Sequence, residues 1–204
     1  MYYYFLHGWA WMGIDNNAKE NAMELAKMGY ITFVADIYGV DKRPQNTKEA
    51  GQQAGYYKNN YQDYHKRIQL ALDQLIQAGA NPDKIAIIGY CFGGTGAIEA
   101  ARTNLKVKGV VSFHGGLGRN PDRYIEPIVP KVLVLHGADD FFVPEAEIKA
   151  FHDEMNKAKA DWQMIYYAGR FISKLILMKN KKKSNFVIFQ NWIFLLLAVF
   201  LNEY

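Results

Sequence analysis

Short runs of apolar residues alternate along the chain with longer stretches in which apolar positions recur with the period of an α-helix. This alternation is typical of a parallel sheet that is covered by helices on both faces. Most of the short runs are apolar throughout, as expected of buried parallel strands. The candidate strands are residues 2–6, 30–36, 84–90, 109–114, 131–136 and 162–167. The pattern therefore predicts the α/β class, as a three-layer α/β/α sandwich with a mostly parallel central sheet.

The stretches between the candidate strands predict four helices. Residues 16–28, 97–101 and 145–158 form three of them, and the apolar residues of positions 61–76 fall on one face of the fourth. Residues 39–60 are different, because they are polar, contain three glycines and a proline, and lack a helical period. We expect this segment to be a surface excursion outside the helices and strands, and one that can border a pocket.

The length of 204 residues favours a single domain, and a composition of 50% hydrophobic and 22% charged residues is that of a chain with a packed core. The net charge of +4 depends on four lysines between residues 179 and 183. Residues 1–169 show no basic face with interleaved aromatic residues, so we expect no nucleic-acid partner. The predicted organisation is one domain over residues 1–169, followed by an atypical tail over residues 170–204.

The single cysteine of the chain, Cys91, excludes an internal disulfide framework and favours a reducing compartment. Residues 1–6 are apolar, but they are too few for the core of a signal peptide and no basic residue precedes them. We therefore expect a cytoplasmic location. Nothing in the sequence indicates an oligomeric state.

A turn of the form G-x-C-x-G, Gly89-Tyr90-Cys91-Phe92-Gly93, joins a candidate strand to a helix. This pattern is that of a nucleophile elbow in which sulfur replaces the hydroxyl of a serine. The glycines let the helix pass close to the strand, while the N-terminus of the helix favours a thiolate. The backbone N–H of Phe92 can then face a developing oxyanion. Cys91 is the candidate nucleophile, and the alternative is a small buried cysteine that only packs.

In a fold with such an elbow, a catalytic acid follows on the loop after a later strand, and a histidine comes last in the chain. Asp139 and Asp140 come directly after the candidate strand at residues 131–136 and its Gly137-Ala138 extension. An aspartate in this place would orient the imidazole and stabilise its charged form. We select Asp140, and the alternative is an aspartate that only caps the turn before the next helix.

Together these residues resemble the dienelactone hydrolases, a cysteine-using branch of the α/β-hydrolase fold. The resemblance runs from about residue 11 to residue 169, and the elbow and the acid loop are its most specific parts. Further matching blocks are residues 25–30, 35–39, 111–117 and 135–140. The resemblance implies hydrolysis of carboxylic ester or lactone bonds in small-molecule substrates by a Cys-His-Asp triad without a metal or an organic cofactor. In that triad Cys91 is the nucleophile and Asp140 the acid.

The loop after the first strand departs from the family pattern. The family has a glutamate there that contacts the thiol, and the match of Trp11-Met12-Gly13 puts Ala10 in its place. The resemblance implies that the backbone N–H groups of Trp11 and Phe92 are the two oxyanion donors. Residues 1–9 match the family poorly, which indicates a truncated or altered N-terminus.

A second departure concerns the histidine, which the family carries just past the last candidate strand, in the loop that Ala168-Gly169 opens. This sequence continues with Arg170 and Phe171, and no histidine follows His152. Residues 170–204 are rich in Lys, Asn, Ile, Leu and Phe and contain no acidic residue before Glu203. Our hypothesis is a change of reading frame near codon 170, with a histidine-containing ending encoded in another frame of the gene.

His114 and His136 each end a candidate strand, at the edge of a parallel sheet where ligands bind. We expect His114 to line the pocket, although a structural role in a His-Gly turn is the simpler interpretation for both. His7, His65 and His152 fit surface or turn positions, and no group of residues has metal-ligand spacing.

The tail contains an apolar stretch, residues 186–201, behind its lysines. Its uninterrupted part, residues 192–201, is shorter than the roughly 20 residues that a membrane-spanning helix needs. We therefore expect a helix packed on the sheet, or an imperfectly packed tail, rather than a membrane anchor.

Three functions are compatible with these features, and the third of them is a membrane-tethered scaffold, which fractionation of the expressed chain would test. The first is a dienelactone hydrolase-like enzyme that uses Cys91 and is impaired by the missing histidine. The alternative is a catalytically inactive remnant of the fold, or a binding module that keeps the pocket. Acylation of Cys91 without steady turnover would favour the alternative.

Overall fold

The structure is a computed structural model, and it describes residues 4–8 and 12–168. Six strands form one sheet in the order β2-β1-β3-β4-β5-β6, and every neighbouring pair is parallel. All six predicted strands are confirmed, with ends that differ by at most two residues. The strands are β1 (Tyr4–Gly8), β2 (Ile31–Val34), β3 (Ile85–Tyr90), β4 (Gly109–Phe113), β5 (Lys131–Gly137) and β6 (Trp162–Tyr167).

Within the described ranges, five α-helices cover this sheet, and four of them were predicted. They are α1 (Asn16–Lys27), α2 (Thr47–Asn59), α3 (Tyr61–Gln77), α4 (Phe92–Arg102) and α5 (Glu145–Lys157). Helix α4 begins five residues earlier than predicted, because the glycines after Cys91 continue the helix instead of preceding it. The predicted three-layer α/β/α sandwich is confirmed.

The central strands β3, β4 and β5 are mostly apolar because both of their faces are buried. In β3, Ile85 and Ile87 belong to one apolar core, while Ala86 and Ile88 belong to the other. The first core is completed by α3, α4 and α5, and Leu25 of α1 packs in the second. Successive side chains of a strand point to opposite faces of the sheet. Because each face packs against an apolar core here, neither set of alternating positions needs to be polar.

The prediction for residues 39–60 is wrong in part, because this segment contains a 3-10 turn (Val40–Lys42) and the helix α2. The side chain of Asn46 caps α2 by accepting a hydrogen bond from the N–H of Glu49, and Glu49 in turn accepts one from the N–H of Gln45. The buried side chains of α2 are only Ala50 and Ala54. Two alanines give a weak apolar signal, which explains why the helical period was missed.

Within residues 4–8 and 12–168, no helix is both long enough and apolar enough to cross a membrane. The apolar stretch at residues 186–201 lies outside the described residues, as does the whole of the predicted tail from 170 to 204.

Candidate active site

Cys91 lies on the turn between β3 and α4, as the elbow motif predicts. Its backbone N–H donates to the carbonyl oxygen of Phe113 at 2.9 Å, which extends the sheet, and its own carbonyl accepts from the N–H of Thr95 at 3.2 Å, which starts the helix. Its φ of 54° and ψ of −117° place a non-glycine residue in a left-handed conformation. Such strain persists where surrounding structure enforces it, and it is concentrated at functional sites.

Two glycines permit this turn because backbone passes directly over them. A Cβ atom on Gly89 would overlap the carbonyl of Gly93, and one on Gly115 would overlap the backbone between Gly94 and Thr95. Strand β3, helix α4 and the loop after β4 are therefore packed more closely than any side chain would allow. This packing fixes where the Cys91 side chain leaves the sheet.

The residue after the cysteine is held by aromatic rings that the sequence did not predict as part of the site. The ring of Phe92 is stacked between those of Tyr38 and Tyr64, with centroid distances of 5.6 and 4.7 Å. The hydroxyl of Tyr64 also donates to the carbonyl oxygen of Phe92 at 2.7 Å. These contacts hold Phe92 in place, and its backbone N–H is the expected oxyanion donor.

A cavity of about 480 Å³, which we call the thiol cavity, brings Cys91 and Asp140 together. Its size is typical of small-molecule sites. Its lining consists of Gly51, Ala54, Gly55, Lys58, Cys91, Phe92, His114, Gly116, Asp140, Phe142 and Val143. Four of these residues come from α2, so the segment 39–60 does border the pocket.

The structure separates the two candidate acids. Asp140 lines both the thiol cavity and a second cavity on the side of β6, whereas Asp139 lines only the second. The carboxylate of Asp140 also accepts a hydrogen bond from the N–H of Phe142 at 3.1 Å, which is the turn-capping contact considered as the alternative. Capping the turn and facing the cavity are therefore compatible for this residue.

The electrostatics of the cavity favour the protonated form of the Cys91 thiol. Burial raises the pKa of the Cys91 thiol above its ordinary value, and the charge of Asp140 adds to this effect. The N–H of Phe92 and the charge of Lys58 act in the opposite direction but are outweighed. The backbone N–H at the helix N-terminus thus favours the thiolate, as the sequence predicts. Its effect on the pKa of Cys91 is smaller than the effect of burial.

His114 lines the thiol cavity, and burial lowers its pKa to about 4, so its imidazole is neutral at neutral pH. Its φ of 41° is also left-handed. His136 is fully buried, does not line the thiol cavity, and its Nδ1 has no hydrogen-bond partner among the described residues. His65 and His152 were expected on the surface or in turns, but they are half-buried residues of α3 and α5.

The predicted features near the two ends of the chain lie at the edge of the described residues or outside them. Trp11, the second expected oxyanion donor, and Ala10 lie outside the described residues. The last strand, β6, ends at Tyr167 beside Gly137, so the chain leaves the sheet next to the loop that carries Asp140. In the described residues, no group of three or more His, Cys, Asp or Glu side chains is arranged to hold a metal ion.

A parallel sheet with helices on both faces and a strained strand-to-helix turn at its carboxyl edge are typical of an α/β-hydrolase. The chain matches the model of the dienelactone hydrolase family over residues 9–171 and belongs to that family. It is therefore a hydrolase by family.

Individual relatives agree with this membership. A solved dienelactone hydrolase-like promiscuous phosphotriesterase from metagenomic libraries is 34% identical, with a TM-score of 0.74 over 82% of this chain and 70% of that one. The solved structure of m3DLH is 25% identical, with a TM-score of 0.83 over 99% of this chain and 85% of its own. A Bradyrhizobium sp protein, named as a probable 2-oxo-3-(5-oxofuran-2-ylidene)propanoate lactonase, is 25% identical over 77% of this chain and 67% of its own length.

Proposed function

We propose that this chain cleaves carboxylic ester or lactone bonds with Cys91 as the nucleophile, and that its turnover is impaired because the triad lacks a histidine. The observation that carries the proposal is the position of Cys91, on a strained strand-to-helix turn and facing the same cavity as Asp140. A lactonase among the relatives supports the substrate class.

In the proposed reaction the sulfur of Cys91 attacks the carbonyl carbon, and the N–H of Phe92 stabilises the oxyanion, with that of Trp11 as the second donor. The carbon–oxygen bond of the ester then breaks and leaves a thioester on Cys91. Without a histidine the thiol loses its proton to solvent, and the alcohol takes its proton from water. Hydrolysis of the thioester returns the free thiol and releases the acid.

The missing base should slow both halves of this reaction. Burial raises the pKa of Cys91, so little thiolate exists at neutral pH. A positioned general base contributes roughly 10²–10⁴-fold to such reactions. Asp140 is proposed as the acid that would orient a histidine, and on its own it disfavours the thiolate.

The test is the time course of p-nitrophenol release from p-nitrophenyl acetate at enzyme concentrations of tens of micromolar. We expect a burst equal to the concentration of Cys91, followed by a slow steady rate that Cys91→Ala abolishes together with the burst. Equal time courses for the two proteins would contradict the proposal. Cys91→Ser is the matched variant, and it should show a smaller burst because a serine hydroxyl ionises less readily than a thiol.

A catalytically inactive remnant, or a binding module, is the second candidate, and the absence of any histidine after His152 favours it. A burst with no steady release above that of Cys91→Ala would establish it. The nucleotide sequence around codon 170 tests the underlying hypothesis separately, because a histidine-containing ending in another reading frame would identify a damaged gene.

The proposed compartment is the cytoplasm, because the catalytic proposal needs the single cysteine as a free thiol.

A further inference from the structure

A second cavity of about 480 Å³ adjoins the thiol cavity, and we call it the polar cavity. The two cavities share Lys58, Gly116 and Phe142 as a common wall. They differ in chemistry, because the thiol cavity is mainly apolar apart from Lys58, His114 and Asp140, whereas charged and amide side chains surround the polar cavity. Its other lining residues are Tyr57, Asn59, Tyr64, Thr95, Glu99, Gly118, Arg119, Asn120, Pro121 and Glu147.

Three polar groups of different kinds converge at Gly116, where the two cavities meet. A Cβ atom on Gly116 would lie 3.4 Å from Oγ1 of Thr95, 3.7 Å from Nζ of Lys58 and 3.9 Å from Oε1 of Glu147. The Thr95 residue is only 7% exposed, and its hydroxyl has no hydrogen-bond partner among the described residues. A buried hydroxyl without a partner in a native structure requires an explanation, such as a bound polar group.

The carboxylate at this junction is fixed, whereas the ammonium is available. Oε1 of Glu147 accepts the N–H groups of Leu117 and Gly118 at 2.6 and 2.8 Å. Lys58 lies on the exposed side of α2 and forms no hydrogen bond or ion pair with any other described residue. A ligand at the junction would therefore meet an acceptor that is already held in place and a donor that has no other partner among the described residues.

The charges at the junction select the kind of ligand. A carboxylate or phosphate would be attracted by Lys58 but repelled by Glu147, and an ammonium group would experience the reverse. A hydroxyl group can donate to Glu147 and accept from Lys58 at the same time. Neutral hydroxyl groups are thus the ligands that satisfy both side chains.

The junction also lies next to the cavity of the thiol. Thr95 follows Cys91 by four residues, and its N–H bonds the Cys91 carbonyl at the start of α4. Lys58 and Gly116 of the junction line the thiol cavity as well as the polar cavity. An acyl group over Cys91 would therefore have the junction beside it, within the space that the alcohol of the ester can occupy.

We propose that the polar cavity binds the alcohol part of the substrate, and that this alcohol carries free hydroxyl groups, as in a monoester of glycerol. The inference rests on the proposed function for the identity of the bond that is cleaved. The acyl–sulfur bond forms as the ester carbon–oxygen bond breaks, and glycerol leaves with a proton from water while the thiol proton goes to solvent.

The first test compares glycerol 1-butyrate with propyl butyrate, which has the same carbon skeleton without the hydroxyls. The measured quantity is the ratio of the two rates at which Cys91 gains a butyryl group, followed by intact-protein mass spectrometry. Both esters react with the same sulfur, so a change in thiol ionisation cancels in the ratio. We expect the ratio to favour glycerol, and to fall about fivefold in Lys58→Met, since one hydrogen bond contributes roughly that factor.

Two further variants make the comparison specific. Lys48→Met removes the same charge from the same helix at an exposed position outside both cavities and should leave the ratio unchanged. Gly116→Ala adds a methyl group at the junction with ordinary van der Waals contacts only, so we expect it to fold and to lower the ratio as Lys58→Met does. Equal ratios in the wild type, Lys58→Met and Gly116→Ala would overturn the inference.

A binding test separates this inference from the proposed function, because it needs no acyl transfer. The unreactive ethers 1-O-butylglycerol and 1-propoxybutane are compared by how far each slows the alkylation of Cys91 by iodoacetamide. Stronger protection by the glycerol ether, reduced in Lys58→Met, supports the inference even if no ester acylates the protein. Acylation without any such preference would support the proposed function and overturn the inference.

Discussion

The backbone N–H of Ala138 donates a hydrogen bond to the carbonyl oxygen of Tyr167 at 3.0 Å, two residues before Asp140 and at the very end of β6. This contact places the start of the chain after β6 beside the loop that carries the proposed acid. In the family, that position of the chain provides the histidine, and here the sequence reads Ala168-Gly169-Arg170. The thiol of Cys91 and the carboxylate of Asp140 share a cavity, and the proposed triad has no histidine at this position of the chain.

Restoring a histidine after β6 should restore turnover. We expect that at least one of Gly169→His, Arg170→His and Phe171→His raises the steady rate of p-nitrophenyl acetate hydrolysis by roughly 10²-fold or more, because a positioned imidazole supplies the missing base. The same substitution combined with Cys91→Ala is the control and should gain nothing. If none of the three variants exceeds the parent rate, the missing base is not what limits this chain.

The ionisation of Cys91 should respond to its two charged neighbours in opposite directions. The rate of alkylation by iodoacetamide should rise with pH with a midpoint above the ordinary thiol value of about 8.5, since burial raises the pKa of Cys91. Lys58→Met should move the midpoint to higher pH, and Asp140→Asn should move it to lower pH. Lys48→Met should leave the midpoint unchanged. A midpoint that is the same in the wild type, Lys58→Met and Asp140→Asn would contradict the placement of both charges beside the thiol.

His114 should make the fold sensitive to acid. Its pKa is lowered from 6.5 to about 4 by burial, so the folded state binds its proton less readily than the unfolded chain does. This contribution to stability is complete above pH 6.5 and is lost as the pH falls towards 4, by up to about 3 kcal/mol. Urea unfolding at pH 7 and pH 4 should show a smaller acid loss in His114→Gln than in the wild type, and equal losses would contradict a buried neutral imidazole.

The loop that borders the polar cavity should depend on one buried guanidinium. Arg102 donates to both oxygens of Glu154 at 2.9 and 2.7 Å, to Glu99 at 2.7 Å, and to the carbonyls of Leu117 and Gly118 at 2.7 and 2.8 Å. Arg102→Met should lower the free energy of unfolding by about 3–5 kcal/mol, because it leaves buried charges without their main partner.

Lys66→Met, an exposed charge removal on α3, is the control for Arg102→Met and should change the free energy of unfolding by no more than about 0.5 kcal/mol. A loss of under about 1 kcal/mol for Arg102→Met would mean that the buried ion pairs and hydrogen bonds of Arg102 stabilise the fold no more than an exposed ion pair does.

The helices and strands that the sequence predicted well are those whose own residues show a clear pattern of apolar positions. Strands β3 to β5 are mostly apolar because both of their faces are buried, and α3 shows its apolar face through Tyr64, Ile68 and Leu72. Helix α2 carries no such signal, because alanines bury against the neighbouring elements without a large apolar period. Its asparagine cap and the glutamate three residues later were the available signal.

In the candidate site, likewise, some residues could be predicted from local patterns and others could not. Cys91 and Asp140 could be selected from local motifs, the first from a glycine-flanked turn and the second from a loop after a strand. Lys58 and the stacking of Tyr38 on Phe92 depend on contacts between residues more than thirty positions apart. Such contacts are decided by tertiary packing, which leaves no local pattern in the chain.

Peptide mapping of the acylated protein shows whether Cys91 is the nucleophile. After brief reaction with p-nitrophenyl acetate, digestion and tandem mass spectrometry should place the acetyl group on the sulfur of Cys91 at close to one equivalent. The lysine-rich stretch at residues 179–183 should remain largely unmodified at that time. An acetyl group found on lysines while Cys91 stays free would contradict the account.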